Sequence, residues 1–252
     1  MIITNERLSQ TFVDCFNLAG SQIQRAAKSV GILFWLKKTP LGPYLEHLSF
    51  RIGSELYFVR IVDIDDKKEF PGTVNGLLRI AQGNRSHACY FPVRHVTETD
   101  KWESVFDGWG LVDALTGNRV DPALDLKEQR VVEMTDWELH DLAVQIVRDD
   151  LIKKGYIIES SLNDPEVNPS LWFREKDAGP ASMQYVVVRA CRNNLAPIAS
   201  MNLDAATSKL TARGFKGHYA EVIMNSDQDG HLYRGRRTNY QYDGLKPIPK
   251  LN

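Results

Sequence analysis

The hydrophobic pattern of the chain divides into two halves, and each half opens with an amphipathic helix. Apolar residues recur at helical spacing over residues 8–30 and again over residues 139–151. Gly31 follows the first of these segments and is suited to end a helix. Thr135 and Glu138 stand three residues apart before the second segment, which is the pattern of a capping box. We therefore expect one long helix near the start of each half.

Two apolar runs predict the central strand of each half. Residues 183–192 read MQYVVVRACR, and residues 55–63 read ELYFVRIVD. In both, a tyrosine leads an apolar run into a Val-Arg pair, so Val59 is matched with Val188. Runs rich in β-branched and aromatic residues suit strands that are buried on both faces. Shorter runs predict further strands at 32–36, 48–51, 87–94, 156–158, 171–174 and 218–224.

Turn residues complete the outline of the fold. Gly53 and Ser54 predict a hairpin, and Pro92 inside a predicted strand indicates an edge position or a bulge. Apolar residues at helical spacing over 74–81 and over 203–210 predict a second, shorter helix in each half. The halves then share the order α-β-β-β-α-β(-β), which predicts an α+β (α/β) protein of two tandem repeats, each a mixed central sheet flanked by helices. We expect the repeats at residues 1–122 and 131–252, with a charged, proline-containing linker at 123–130.

Composition narrows the range of partners and compartments. Thirty-one basic and thirty-two acidic residues nearly cancel, which argues against binding nucleic acid or an anionic membrane through bulk charge. The sequence has no signal peptide pattern and no run near the roughly 20 apolar residues needed to span a bilayer. We therefore expect a cytoplasmic protein. The three cysteines lack metal-ligand spacing, which favours buried apolar roles.

The predicted element order resembles the core of the restriction-endonuclease-like fold, the PD-(D/E)XK superfamily. In that family an acidic residue and a (D/E)-x-K triplet hold Mg²⁺ and help to position the attacking water. Asp164 lies near the place of the first acid, although Asp164-Pro165 also reads as a turn. Residues 184–186, Gln-Tyr-Val, and residues 55–57, Glu-Leu-Tyr, occupy the triplet positions and lack the lysine. The resemblance therefore implies a domain that has lost, or never had, nuclease activity, and no metal site.

Other candidate chemistry is weaker. His140 lies in the second predicted helix, where a packed or solvated histidine is expected more often than a catalytic base. Glu138 is expected to serve the capping box and to lie on a polar face of that helix. Asp63, Asp65 and Asp66 resemble part of a calcium loop, but the required glycine and glutamate are missing, which favours a solvated turn. Neither a G-x-S-x-G elbow nor a phosphate-binding loop is present in the sequence.

The C-terminal part of the sequence is basic, in contrast to the near-zero net charge of the whole chain. Residues 231–242 read HLYRGRRTNYQY and contain Arg234, Arg236, Arg237 and Tyr240. Arginines can bind phosphates while tyrosines stack on bases, so these four residues are candidates for nucleic-acid binding. The alternative is an edge hairpin whose basic side chains discourage pairing with other chains. A third possibility is an electrostatic contact with the acidic residues of segment 107–113, within one chain or between chains.

Two functional hypotheses follow. The first is a non-enzymatic binding or regulatory module of a bacterial protein, acting as a dimer, with a protein partner, self-association or nucleic acid as its target and with no cofactor. The alternative is a divergent Mg²⁺-dependent nuclease, or another phosphodiester-acting enzyme, with Asp164 and Gln184 in a displaced catalytic site. The absence of a convergent catalytic set favours the first hypothesis.

Overall fold

The chain is an α+β protein with two halves that each contain a mixed sheet, as the computed structural model shows. Internal contacts divide it into two compact units. One unit comprises Thr4–Pro40 and Tyr44–Val132, and the other comprises Met1–Ile3, Leu41–Pro43 and Glu133–Asn252. We call them the first and the second unit. The structure describes residues 8–31, 33–65, 67–126, 130–179, 182–193, 203–226 and 230–248.

The described residues of the first unit form three helices and seven strands. The helices are α1 (Gln10–Ala27), α2 (Val74–Gly83) and α3 (Pro122–Asp125). The strands are β1 (Leu33–Lys37), β2 (Leu48–Ile52), β3 (Glu55–Asp63), β4 (His87–Val96), β5 (Lys101–Ser104), β6 (Leu111–Asp113) and β7 (Arg119–Val120). Helix α3 occupies the first part of the predicted linker, and residues 127–129 of that linker lie outside the described residues.

The sheet of the first unit follows the order β1-β2-β3-β4-β6-β7, and β5 also pairs with β4. Strands β1 to β3 are antiparallel, whereas β3 and β4 are parallel and are connected through α2. The predicted hairpin is confirmed, since Ile52 pairs with Glu55 across Gly53-Ser54. Gly53 has φ +59°, a left-handed conformation that glycine adopts at little cost. The predicted first helix is also confirmed, although it ends at Ala27, before Gly31.

Pro92 lies in an interior strand, so the predicted edge position is wrong. It pairs with Val62 of β3 on one side of β4. On the other side, β6 pairs with Cys89 and Tyr90, and the β5 ladder begins at Val93. The missing N–H of Pro92 thus falls where the neighbouring strand changes from β6 to β5. A break between two partner strands accommodates proline as well as an edge does.

The described residues of the second unit contain two helices and six strands. They are α4 (Asp136–Lys153), α5 (Leu203–Ala212), β8 (Tyr156–Ser161), β9 (Leu171–Glu175), β10 (Gln184–Arg192), β11 (Lys216–Asn225), β12 (Asn239–Tyr242) and β13 (Lys246–Pro247). The sheet order is β12-β11-β10-β9-β8, and β13 also pairs with β11. Strands β8 to β10 are antiparallel and β10 is parallel to β11, as in the first unit. Both units therefore place a parallel pair beside an antiparallel meander.

Two local predictions for the second unit, the capping box and the buried central strand, are confirmed. Thr135 caps α4, and its capping box with Glu138 is complete. Eight of the nine residues of β10 are buried, as expected of a central strand. Its inward face packs with α4 in an apolar core that includes Val144, Val186 and Val222. Continuous apolar character therefore identified the strand that lies in the interior of this sheet.

The sheet register gives two matches between the central strands of the two halves. Leu48 pairs with Val59 in the first unit, and Leu171 pairs with Val186 in the second. On this side of the strand Val59 corresponds to Val186, two residues before Val188. On the other side His87 pairs with Tyr57 and His218 pairs with Val186, so that Val59 corresponds to the predicted Val188. Side chains of a strand alternate with a period of two, so a shift of two residues keeps every apolar side chain on the same face. Apolar pattern alone does not distinguish these two registers.

Candidate functional site

The two predicted nuclease positions of the second unit make separate structural contacts. Asp164 lies between β8 and β9, where its Oδ1 accepts a hydrogen bond from the backbone N–H of Glu166 at 3.0 Å. This is the Asx turn that the Asp-Pro sequence suggests. Gln184 is buried, and its Oε1 lies 2.9 Å from Nε2 of His218. No contact among the described residues joins Asp164 to Gln184.

The next question is whether the described part of the chain contains a possible metal site. It contains no group of three or more His, Cys, Asp or Glu side chains that could hold a metal ion. The acidic run after β3 forms a turn in which Asp63 accepts hydrogen bonds from the backbone N–H groups of Asp65, Lys67 and Lys68. Asp66 lies outside the described residues. The nuclease hypothesis therefore has no metal site among them.

The triplet position of the first unit belongs to a cluster that the sequence reasoning missed. Tyr57 stacks on His87, the first residue of the adjacent parallel strand, with ring centroids 4.6 Å apart. Nε2 of His87 lies 3.5 Å from Glu55 Oε2 and 3.9 Å from Asp125 Oδ2. The Tyr57 hydroxyl donates to Asp125, and burial followed by this hydrogen bond raises the pKa of Tyr57. The partly exposed imidazole thus lies between two carboxylates.

This cluster, which we call the His87 cluster, lacks the parts of a recognised catalytic site. Tyr57 stays protonated as a donor, and its buried neighbour Cys89 has a pKa raised by burial, so neither supplies a nucleophile at neutral pH. Glu55 and Tyr57 share a face of β3 because they stand two residues apart. That spacing was visible in the sequence. Asp125 reaches the cluster from 68 residues away, and no sequence pattern indicates that contact.

Arg234, one of the four predicted binding residues, is buried and paired instead. Its side chain is 1% exposed and that of Glu138 is 2% exposed. The Arg234 Nε lies 3.0 Å from both carboxylate oxygens of Glu138, and Nη2 donates to Oε2 at 2.9 Å. Glu138 also accepts hydrogen bonds from Thr135 in the capping box. Arg234 is thus not available to an external ligand, and the polar-face prediction for Glu138 is wrong.

The segment that contains Arg234 is attached to the start of α4 and is not a hairpin. The N–H of Met134 donates to the carbonyl of Leu232 at 2.8 Å, and Tyr233 forms an isolated bridge with Glu133. His231 Nδ1 lies 3.1 Å from Glu133 Oε1. Strand β12 pairs with β11 and not with this segment. The predicted hairpin is wrong because this segment forms its main-chain hydrogen bonds with residues that lie far away in the sequence.

The other three predicted binding residues lie on the surface. Arg236, Arg237 and Tyr240 are exposed, and the Tyr240 side chain belongs to β12 at one edge of the sheet. Lys246 of β13 is exposed too, but its side chain lies on the other face of the sheet, because its partner on β11 is five residues away from the partner of Tyr240. Among the described residues, the side chains of Arg236, Arg237 and Lys246 form no ion pair. We call Arg236, Arg237 and Tyr240 the basic surface. Its tyrosine is 58% exposed, which leaves most of the ring free for stacking.

A known family covers most of the second unit. Residues 137–248 match the family described as a domain of unknown function, DUF8840. The match includes the whole basic surface, whereas the His87 cluster lies outside it. No curated protein and no solved structure matches the chain. None of the helices in the described residues combines the length and apolar character that crossing a membrane requires.

Proposed function

We propose that the protein is a non-enzymatic binding module that holds single-stranded nucleic acid on the basic surface of its second unit. The observation that carries the proposal is the contrast between neighbouring arginines. Arg234 is fixed to Glu138 in the interior, while Arg236 and Arg237 extend from the same segment without an acidic partner among the described residues. A rigid attachment thus presents two unpaired guanidinium groups to the solvent.

The chemistry of the surface suits an extended polyanion. Guanidinium groups bind phosphate oxygens through paired hydrogen bonds, and an exposed tyrosine can stack on a base of any sequence. Asp243 is the only acidic residue from His231 to the last residue, so little negative charge opposes this contact. Phosphate contacts and base stacking carry no sequence information, so binding is expected to be independent of sequence and sensitive to salt.

A protective role is the main alternative for the same residues. Strand β12 is an edge strand, and basic side chains near an edge discourage pairing with other sheets. In that case Arg236 and Arg237 keep the protein soluble and bind no polyanion. Self-association through β12 into a dimer is a further outcome, and analytical ultracentrifugation of the protein alone distinguishes it by the mass of the dimer.

The relation to nucleases remains part of the proposal. Both units contain the order α-β-β-β-α-β, which supports two degenerate restriction-endonuclease-like copies that arose by duplication. The alternative, a divergent Mg²⁺-dependent nuclease, would need Asp164 and Gln184 to act together. Asp164 is engaged in its own turn and Gln184 with His218, which supports the non-enzymatic proposal.

Fluorescence anisotropy with a labelled single-stranded oligonucleotide tests the proposed function. We expect wild-type protein to bind with an affinity that falls as salt rises. The Arg236→Ala/Arg237→Ala variant should reduce the salt slope by about 1.4, since each phosphate contact contributes about 0.7 for single strands. The Lys209→Ala/Arg213→Ala variant removes the same charge from two exposed positions, one on α5 and one directly after it, and is the matched control. Equal losses in both variants would contradict a local site.

A further inference from the structure

A cleft in the first unit lies between helix α1 and the chain that leads from β5 to β6. It has a volume of about 530 Å³, which is within the range of small-molecule sites, and it is open to solvent. One wall consists of Leu18, Gln22, Arg25 and Ala26 of α1. These four residues share one face of the helix because they are three, four, seven or eight positions apart. Residues 102–104 and 106–108 form the opposite wall.

Hydrogen bonds to main-chain carbonyl groups hold the second wall in place. The carbonyl of Phe106 accepts from Gln22 Nε2 at 2.7 Å and from the Ser104 hydroxyl at 2.8 Å. The carbonyl of Asp107 accepts from Arg119 Nη2 at 2.7 Å. These carbonyl groups are therefore already occupied, and the wall is formed before a ligand binds, which lowers the entropic cost of binding.

Two aromatic side chains, Trp102 and Phe106, line the cleft and are both half-buried. The ring of Trp102 lies 6.2 Å from that of Phe70 and 5.2 Å from that of His95, measured between centroids. The guanidinium group of Arg119 lies over the Phe106 ring, 5.2 Å from its centroid. Both rings are thus supported from behind, and their accessible parts offer an aromatic ligand a surface to pack against.

Two opposite charges stand on the two walls of the cleft without neutralising each other. Arg25 belongs to α1 and Asp107 to the facing segment, and both are exposed. Within the described part of the chain, neither side chain forms an ion pair. Glu103 also borders the cleft, but strand alternation places its side chain on the face of β5 opposite to Trp102, whose ring packs against the core. The cleft therefore combines one cation, one anion and two aromatic rings.

We propose that this cleft binds an aromatic α-amino acid. The ligand carboxylate pairs with Arg25, the ammonium group pairs with Asp107, and the ring packs against Trp102 and Phe106. Arginine suits the carboxylate because its guanidinium group can donate two parallel hydrogen bonds. An aromatic acid without an ammonium group leaves Asp107 unpaired, and an aromatic amine leaves Arg25 unpaired. The cleft lies in the first unit, so the proposal does not rest on the nucleic-acid binding proposed for the second.

NMR titration of the whole wild-type chain is the primary test. The probes are L-phenylalanine, phenylpropionate, which lacks the ammonium group, and phenethylamine, which lacks the carboxylate. We expect the indole N–H resonance of Trp102, assigned with Trp102→Phe, to shift and saturate with L-phenylalanine. Its dissociation constant should be about tenfold lower than that of either analogue, because each analogue loses one charge-assisted hydrogen-bonded contact. An unchanged resonance with all three probes would overturn the site, and equal affinities would overturn the assignment of an amino acid.

Variants of the two charged residues test the assigned contacts separately. Arg25→Gln should weaken binding of L-phenylalanine about tenfold and remove its preference over phenethylamine. Asp107→Asn should instead remove the preference over phenylpropionate. Both positions are exposed, so the fold should tolerate the changes.

The matched controls change the same charges outside the proposed contacts. Lys28→Gln alters an exposed cation directly after α1, and Glu103→Gln alters the carboxylate on the other face of β5. Both controls should bind L-phenylalanine as the wild type does. Equal losses in the controls and in the cleft variants would show a general charge effect and refute the site.

Discussion

The buried Arg234–Glu138 pair makes a sharp prediction about the stability of the second unit. Both side chains are at most 2% exposed, and three donor–acceptor distances of 2.9–3.0 Å join them. Removing one partner of a buried ion pair typically costs about 3–5 kcal/mol because the other charge stays buried. In Arg234→Met the carboxylate keeps its hydrogen bonds from Thr135, so we expect a loss near the lower limit, about 3 kcal/mol.

A double-mutant cycle separates the pair from its surroundings. Glu138→Gln retains a side chain that can complete the capping box but leaves Arg234 without its counter-ion. The double variant Glu138→Gln/Arg234→Met removes both charges, and exchanging a buried ion pair for uncharged side chains is often close to neutral. We therefore expect the double variant to be at least about 2 kcal/mol more stable than the sum of the two single losses predicts.

Amide hydrogen exchange is the suitable assay, because it reports on each unit separately. The protected amides of β10 give the free energy of unfolding of the second unit, and those of β3 serve as the internal control. Strictly additive losses in the cycle would show that Arg234 and Glu138 do not interact in solution. That result would also contradict the proposed function, in which the Arg234–Glu138 pair holds the segment that contains Arg236 and Arg237.

Three further predictions concern stability and reactivity. Gly72 has φ +85°, and a Cβ at this position would lie 1.9 Å from the Tyr44 carbonyl oxygen. Gly117 has a similar φ of +73°, but nothing surrounds its Cβ position. In urea unfolding, Gly72→Ala should therefore lower the free energy of unfolding by at least about 2 kcal/mol more than Gly117→Ala does. Burial lowers the pKa of His47 to about 3, so between pH 6.5 and 3 the unfolded chain binds a proton that the folded chain does not. The free energy of unfolding of the first unit should therefore fall by about 1.4 kcal/mol for each pH unit below 6.5. The His47→Gln variant should flatten this slope. The three buried cysteines have pKa values raised by burial, so native protein should react far more slowly with a thiol reagent such as DTNB than denatured protein; equal rates would contradict their burial.

Local sequence patterns predicted the elements that depend on neighbouring residues. The capping box at Thr135, the hairpin at Gly53-Ser54 and the buried strand β10 each involve residues that are close together in the sequence. Their stabilising interactions form within a few residues or follow from hydrophobic periodicity. Such features can be recognised without knowledge of the rest of the chain.

The candidate sites depended on contacts across long stretches of sequence. Arg234 meets Glu138 across 96 residues, and Tyr57 meets Asp125 across 68. Sequence reasoning treated Arg234, Arg236 and Arg237 as one basic group, because charge was visible and burial was not. The local order of buried and exposed positions, with Leu232 and Arg234 inside and Arg236 outside, is set by their attachment to α4.

The position of a bound oligonucleotide tests the proposed function most directly. Ultraviolet cross-linking of a single-stranded oligonucleotide, followed by mass spectrometry, identifies the contacting residues. The proposal predicts a cross-link at Tyr240 that disappears in the Arg236→Ala/Arg237→Ala variant and persists in Lys209→Ala/Arg213→Ala. Absence of any cross-link at the basic surface, or cross-links confined to the His87 cluster, would contradict it.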